Sequence, residues 1–186
     1  MVRPKYLVDT DWVIFYLRGK EPFVSTLKEY QKDSLAISVV SLAELYEGVY
    51  RSDNPISREK GLKDFLAGVE ILDVDRHIAW LFGKHRADLR RQGLPLADFD
   101  ILIGCTTLHH KLVLLTNNRR HYERIAGLSM RSLGLEDPSR APGNVGEQGS
   151  SPRGWGLFLV ESSLSGTGEY LVPGTWEGME EGAGTF

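Results

Sequence analysis

Four short apolar runs, at residues 5–9, 35–38, 70–74 and 113–116, are separated by stretches of helical periodicity. That alternation restricts the fold more than any other feature of the chain. Strands this short and this uniformly apolar are buried on both faces, and strands joined through helices run parallel. The pattern therefore predicts an α/β fold with a four- or five-stranded parallel sheet covered on both sides. The fifth strand is expected at 129–133. Helices are expected from Thr10 to Arg18, over 21–32, from Ser41 to about Arg51, and over 58–68, 76–92 and 98–110. Ser41-Leu-Ala-Glu has the Ser-x-x-Glu form of a capping box, which sets the third of these starts. The helix over 76–92 places Ile78, Leu81, Phe82, His85 and Leu89 on one face, and Gly93 ends it.

Composition divides the chain near Glu136. Beyond it lie eleven of the twenty glycines, half of the eight prolines and no lysine. Residues 1–135 are read as the folded domain. Residues 136–186 are read as a mostly disordered tail, because their two short apolar runs, 157–160 and 170–172, bury too little surface to offset the entropy of ordering. A formal net charge of −3 excludes a broadly basic coat, so any nucleic-acid contact must come from a local patch. The single cysteine, Cys105, rules out an internal disulfide and sits in an apolar run as a small buried hydrophobe. The apolar residues near the N-terminus are interrupted by Asp9, Asp11 and Arg18, which excludes a signal peptide or membrane span there. A cytoplasmic protein is expected.

Three acids stand at element boundaries. Asp9 closes the first strand, Glu44 lies in the first turn of the helix after the second, and Asp100 opens the helix before the fourth. In an open parallel sheet such positions converge on the carboxyl edge. Carboxylates gathered there raise one another's pKa unless a cation neutralises them, and a hard divalent ion with oxygen ligands is the natural counterion. Each acid also has a structural explanation: Asp9 as a helix N-cap, Glu44 as the partner in the capping box, and Asp98 as the cap of the helix that holds Asp100. The histidines give a weaker pattern. His109 and His110 are adjacent on a helix and point about 100° apart, so they cannot readily share a ligand; His77 and His85 lie on the long helix. Arg119, Arg120 and Arg124 are candidates for phosphate contact. Trp12, Tyr46 and Tyr50 fit either partner contacts or the core.

The segments Tyr6-Leu-Val-Asp-Thr-Asp-Trp-Val-Ile, Ser41-Leu-Ala-Glu-Leu, Pro95-Leu-Ala-Asp-Phe-Asp-Ile-Leu-Ile-Gly and Leu114-Leu-Thr-Asn-Asn-Arg-Arg-His-Tyr-Glu-Arg-Ile-Ala-Gly-Leu resemble the PIN domain in order and approximate spacing, over residues 5–133. The set is most similar to VapC toxins of bacterial toxin–antitoxin pairs. The resemblance implies a PIN-like α/β/α sandwich and a magnesium-dependent endoribonuclease, with manganese as an alternative ion. It also implies an RNA substrate, a homodimer and a cognate VapB-like antitoxin. It assigns Asp9, Glu44 and Asp100 to the metal and puts Asn118 where many members carry a fourth acid. Asp11 stands where the family often has asparagine, and Asp98 is an additional acid. Two other readings compete. Val8-Asp-Thr-Asp-Trp-Val fits the opening motif of a haloacid-dehalogenase-type phosphatase, although the acid pair at 98 and 100 precedes a helix instead of following a late strand. A PIN-like fold that binds RNA or a partner without cutting is the second.

Truncation after Leu135 is expected to leave the folding of the domain intact. Thermal unfolding of the full and shortened chains checks this, and a large loss of stability on truncation would contradict it.

Overall fold

The computed structural model describes residues 3–133. The tail expected over 136–186 lies outside the described residues.

Five strands form one parallel sheet. They are β1 (Tyr6–Val8), β2 (Leu35–Ser38), β3 (Val69–Leu72), β4 (Val113–Leu115) and β5 (Met130–Arg131), in the spatial order β3-β2-β1-β4-β5. β1 and β2 are buried at every residue, as strands packed on both faces must be, while the edge strand β3 leaves Glu70 and Ile71 exposed. The chain builds outward from β1 through β2 to β3 and then crosses back to lay β4 on β1's other side. The carboxyl ends of β1 and β4 therefore flank a switch point, the place where open α/β sheets form their ligand crevices.

Alternation along the strands sorts the core into two layers. Tyr6, Val8, Leu35, Ile37 and Leu115 pack on one face with Trp12 and Val13 of α1 (Thr10–Leu17), Phe23 and Leu27 of α2 (Phe23–Tyr30), Leu45 and Val49 of α3 (Val39–Tyr50), and Leu62 and Phe65 of α4 (Pro55–Leu66). Leu7, Ala36 and Leu114 face the other way, onto Ile103 and the buried Tyr122 and Ile125. Ile103 belongs to α6 (Asp98–His110) and Tyr122 to α7 (Arg119–Tyr122). α5 (Arg76–Arg91) packs on α6 through Ile78, Leu89, Ile101 and Cys105, with Leu81 and Phe82 partly buried beside them. The apolar face expected on the long helix thus meets a helix and not the sheet. Trp12 is core, Tyr46 is partly buried and Tyr50 is exposed.

Three helix starts differ from expectation: α2 begins at Phe23 instead of residue 21, and α3 and α4 each begin early for a local reason. α3 begins at Val39 because Ser38, still extended at the end of β2, caps it by accepting the Val40 amide at 3.2 Å. Strand passes into helix with no loop, Ser41 lies inside the first turn, and there is no capping box for Glu44 to complete. α4 begins at Pro55, where the missing amide costs nothing and Asn54 caps the Ser57 amide at 3.1 Å. Gly93, at φ +69°, follows α5 as expected. No helix among the described residues is long and apolar enough to cross a membrane.

Leu114→Ala, in a central strand with no exposure, should cost about 2–5 kcal/mol through lost burial and a residual cavity. Ile71→Ala, on the edge strand and 42% exposed, should cost under about 1 kcal/mol. Urea unfolding of both variants measures the contrast, and comparable losses would contradict the layered core.

Candidate active site at the carboxyl edge of the sheet

Asp9 continues β1, its amide donating to the Leu115 carbonyl at 3.0 Å, and then caps α1 by accepting the Thr10 amide on Oδ1 at 2.9 Å. The capping explanation is therefore correct but incomplete. The Thr116 hydroxyl, just past β4, donates to Oδ2 at 2.7 Å, and the Tyr122 hydroxyl donates to Oδ1 at 3.2 Å. Burial pushes the Asp9 carboxyl well above the usual range, the charges of Asp11 and Asp100 add to the rise, and the hydrogen bonds from Thr116 and Thr10 oppose it. Burial also raises the Tyr122 hydroxyl, with the Asp9 charge next in effect, so the phenol stays a donor.

Three further acids face this point. Asp11 accepts the Asn117 amide on Oδ2 at 3.0 Å, while its Oδ1 is sealed from solvent without a hydrogen-bond partner. Its carboxyl is pushed up to about 7, chiefly by burial, with the Asp100 and Glu44 charges contributing and two backbone hydrogen bonds opposing. Glu44, in the second turn of α3, accepts the Thr10 hydroxyl at 2.6 Å. Asp100, in the first turn of α6, places Oδ2 at 2.9 Å from His121 Nδ1. Asp98 turns the other way and forms a two-pronged pair with Arg86 of α5 at 2.6 and 2.9 Å. It does not cap α6, whose N-cap is Ala97 without a side-chain bond.

Loops after β1 and β4 lock this edge together. Asn117 accepts the Trp12 indole N–H at 3.1 Å and the Leu133 amide at 3.2 Å on its side-chain oxygen. The Asn118 amide donates to Thr116 Oγ at 2.9 Å, and the Asn118 side-chain nitrogen lies 2.8 Å from His121 Nδ1. Sequence reasoning did not assign roles here to Thr10, Asp11, Thr116, Asn117, His121 or Tyr122. The i, i+3 spacing of Asn118 and His121 was the readable signal for one of them. Arg120 is exposed, Arg119 pairs with Glu123 at 3.1 Å, and Arg124 donates to the Pro95 carbonyl at 3.1 Å. The His77 and His109 rings meet at a tilt, with centroids 4.9 Å apart, and His109 lies 3.4 Å from Asp75. That group sits at the far end of α6 from Asp100.

The donor set suits a hard divalent cation: oxygen ligands only, with Asp9 and Asp11 raised by burial and by neighbouring carboxylate charges, and a buried, unpartnered oxygen on Asp11. Among the described residues, however, no three histidine, cysteine or acidic side chains stand together as a ready-made ligand set.

Residues 6–128 match the family profile described as "PIN domain". The chain belongs to the PIN-domain family. Within it, the chain is VapC-like: it is 33% identical over 124 residues to the tRNA(fMet)-specific endonuclease VapC of Shigella flexneri, covering 67% of this chain and 94% of that protein. It is 31% identical over 124 residues to ribonuclease VapC2 of Haemophilus influenzae, with the same coverage. The fold matches VapBC2 from Rickettsia felis, solved bound to a promoter DNA fragment, at TM-score 0.65 and 27% identity over 69% of this chain and 98% of that one. It also matches DNA-bound VapBC from Salmonella typhimurium at TM-score 0.65 and 30% identity, with the same coverage. Thr116-Asn117-Asn118 follows β4, where the phosphatase reading needs an acid pair.

The raised carboxyl of Asp11 has a defined sign for stability. Its folded pKa of about 7 lies above the unfolded value of about 3.9, so the folded state holds the proton more tightly. Stability from this group is complete below about pH 4 and is lost as pH rises toward 7. In chelator at pH 8, Asp11→Asn should therefore resist urea unfolding better than the parent, by on the order of 1 kcal/mol or more, with little difference below about pH 4. A less stable variant at pH 8 would contradict this.

Proposed function

We propose that this protein is a metal-dependent endoribonuclease, the toxin of a VapBC-type toxin–antitoxin pair. In this reading it acts as a homodimer and is restrained by a VapB-like antitoxin. The observation that carries the reading is the cluster of Asp9, Asp11, Glu44 and Asp100 at the switch point of a PIN fold, where burial and neighbouring carboxylate charges raise Asp9 and Asp11. Similarity to VapC ribonucleases, and to VapC-type chains solved with their VapB partners, supports it.

Asp9, Glu44 and Asp100 would hold magnesium or manganese. A carboxylate offers about four lone-pair positions, and Asp9 uses three of them on Thr10, Thr116 and Tyr122. One lone pair on Oδ2 is left for an ion. When bound, the ion supplies a polarised water and stabilises charge developing on the scissile phosphate. The protein's own contribution is orientation. Thr116 and Tyr122 fix the Asp9 plane, Thr10 fixes one Glu44 oxygen, and Asn118 directs a water or the substrate. The exposed Arg120 is best placed of the three arginines to meet phosphate, because Arg119 and Arg124 already have protein partners.

In this reading water, and not the ribose 2′-hydroxyl, attacks phosphorus, so the products should carry 5′-phosphate and 3′-hydroxyl ends. Asp9→Asn and Asp100→Asn keep shape while removing a charge, and each should lower the cleavage rate by a factor on the order of 100 or more without loss of RNA binding. The test incubates purified protein with RNA, with and without magnesium or manganese, and maps the product ends. Cyclic 2′,3′-phosphate ends, or full activity in excess chelator, would overturn the mechanism.

A further inference from the structure

His121 Nδ1 lies 2.9 Å from Asp100 Oδ2 and 2.8 Å from the Asn118 side-chain nitrogen. One ring nitrogen cannot serve both contacts. A carboxylate only accepts, an amide nitrogen only donates, and Nδ1 is either protonated or bare. A bare Nδ1 would accept from Asn118 and leave two lone pairs facing each other at Asp100. A protonated Nδ1 makes a charge-assisted bond to Asp100, the stronger of the two possible bonds. The side chains of Asp100 and His121 are only 20% and 28% exposed, so little water is available to relieve a wrong pairing. The second contact is satisfied when Asn118 presents its amide oxygen, which has nearly the same shape and position as the amide nitrogen.

We infer that His121 is a positioning residue of the carboxylate site. Its Nδ1–H is shared between Asp100 Oδ2 and the Asn118 amide oxygen. It sets the plane of Asp100 and turns the Asn118 NH2 away from the ring, as a donor for a phosphate oxygen. Asn118 then acts as a hydrogen-bond donor and not as an oxygen ligand. The local backbone explains the arrangement. A single turn, closed by the His121 amide donating to the Asn118 carbonyl at 3.1 Å, stacks the two side chains at i and i+3. The neighbouring Tyr122 takes the inward direction and reaches Asp9. The effect on an ion at Asp100 rests on the nuclease reading; the protonation of Nδ1 does not.

Two measurements on the full chain separate these points. In metal-free, nitrogen-15-labelled protein, long-range imidazole correlations assigned by comparison with His121→Asn should show a protonated Nδ1. A bare Nδ1 overturns the inference whatever the chemistry of the site. Manganese binding is then read by electron paramagnetic resonance, with Tm as the fold control. His121→Phe should weaken binding about 10-fold or more, the usual scale for a residue that orients a ligand. His121→Asn places an N–H near Nδ1 and should stay within about threefold of the parent, whereas His121→Gln, which places it near Nε2, should resemble the phenylalanine variant. Equal binding by the parent and His121→Phe, or equal rescue by Asn and Gln, overturns the positioning role. A parent chain that binds no manganese sinks the metal reading instead and leaves the nitrogen-15 result to decide the rest.

Discussion

A carboxylate buried at the carboxyl end of the central strand organises this domain. Asp9 leaves the innermost strand at a point sealed on both sides by apolar layers, where an unsatisfied charge would be costly. The fold answers with three donors from separate places: the first amide of α1, the hydroxyl that ends β4, and a phenol from the short helix after it. Satisfying Asp9 therefore requires β4 to lie beside β1 and α7 to turn back over the sheet. The position of the acid and the order of the strands are two sides of one requirement.

The same demand arranges its surroundings. Thr10 donates its amide to Asp9 and its hydroxyl to Glu44, linking α1 to α3. Thr116 donates to Asp9 and accepts from the Asn118 amide, linking the strand end to the turn that carries His121 and Tyr122. Three hydroxyls, two backbone amides and the His121 imidazole bond to Asp9, Asp11, Glu44 and Asp100. Burial and neighbouring carboxylate charges raise the Asp9 and Asp11 carboxyls, and their hydrogen bonds offset that rise only in part.

Much of the fold was legible because burial writes itself into composition. β1, β2 and β4 are apolar at nearly every residue, and Gly93 ends the long helix as physical chemistry favours, whereas the Asn54-Pro55 start of α4 was passed over. The strand order was not legible, since no local pattern says on which side of β1 the chain returns. The start of α3 was misread for a related reason. Ser38 and Ser41 are equally good caps in isolation, and the choice belongs to the extended backbone that β2 delivers. Asp9, Glu44 and Asp100 stood out by their boundary positions. Asp11 did not, because its burial depends on Asn117 from a loop 106 residues away. Tyr122 looked like any core aromatic, and its hydroxyl acquires a role only once its ring is packed beneath Asp9.

The partners of Asp9 lie 107 and 113 residues along the chain. A ribosome making this protein from its N-terminus releases Asp9 and Glu44 long before Thr116 and Tyr122. Until β4 inserts beside β1, only the adjacent Thr10 amide can hold the first acid, and nothing fixes Asp100 against His121. The nascent domain consequently has no assembled site through most of its synthesis, and long-range strand pairing of this kind is the slow part of folding. For a chain proposed to cut RNA, the topology acts as a timer: competence arrives only with the last strands of the domain.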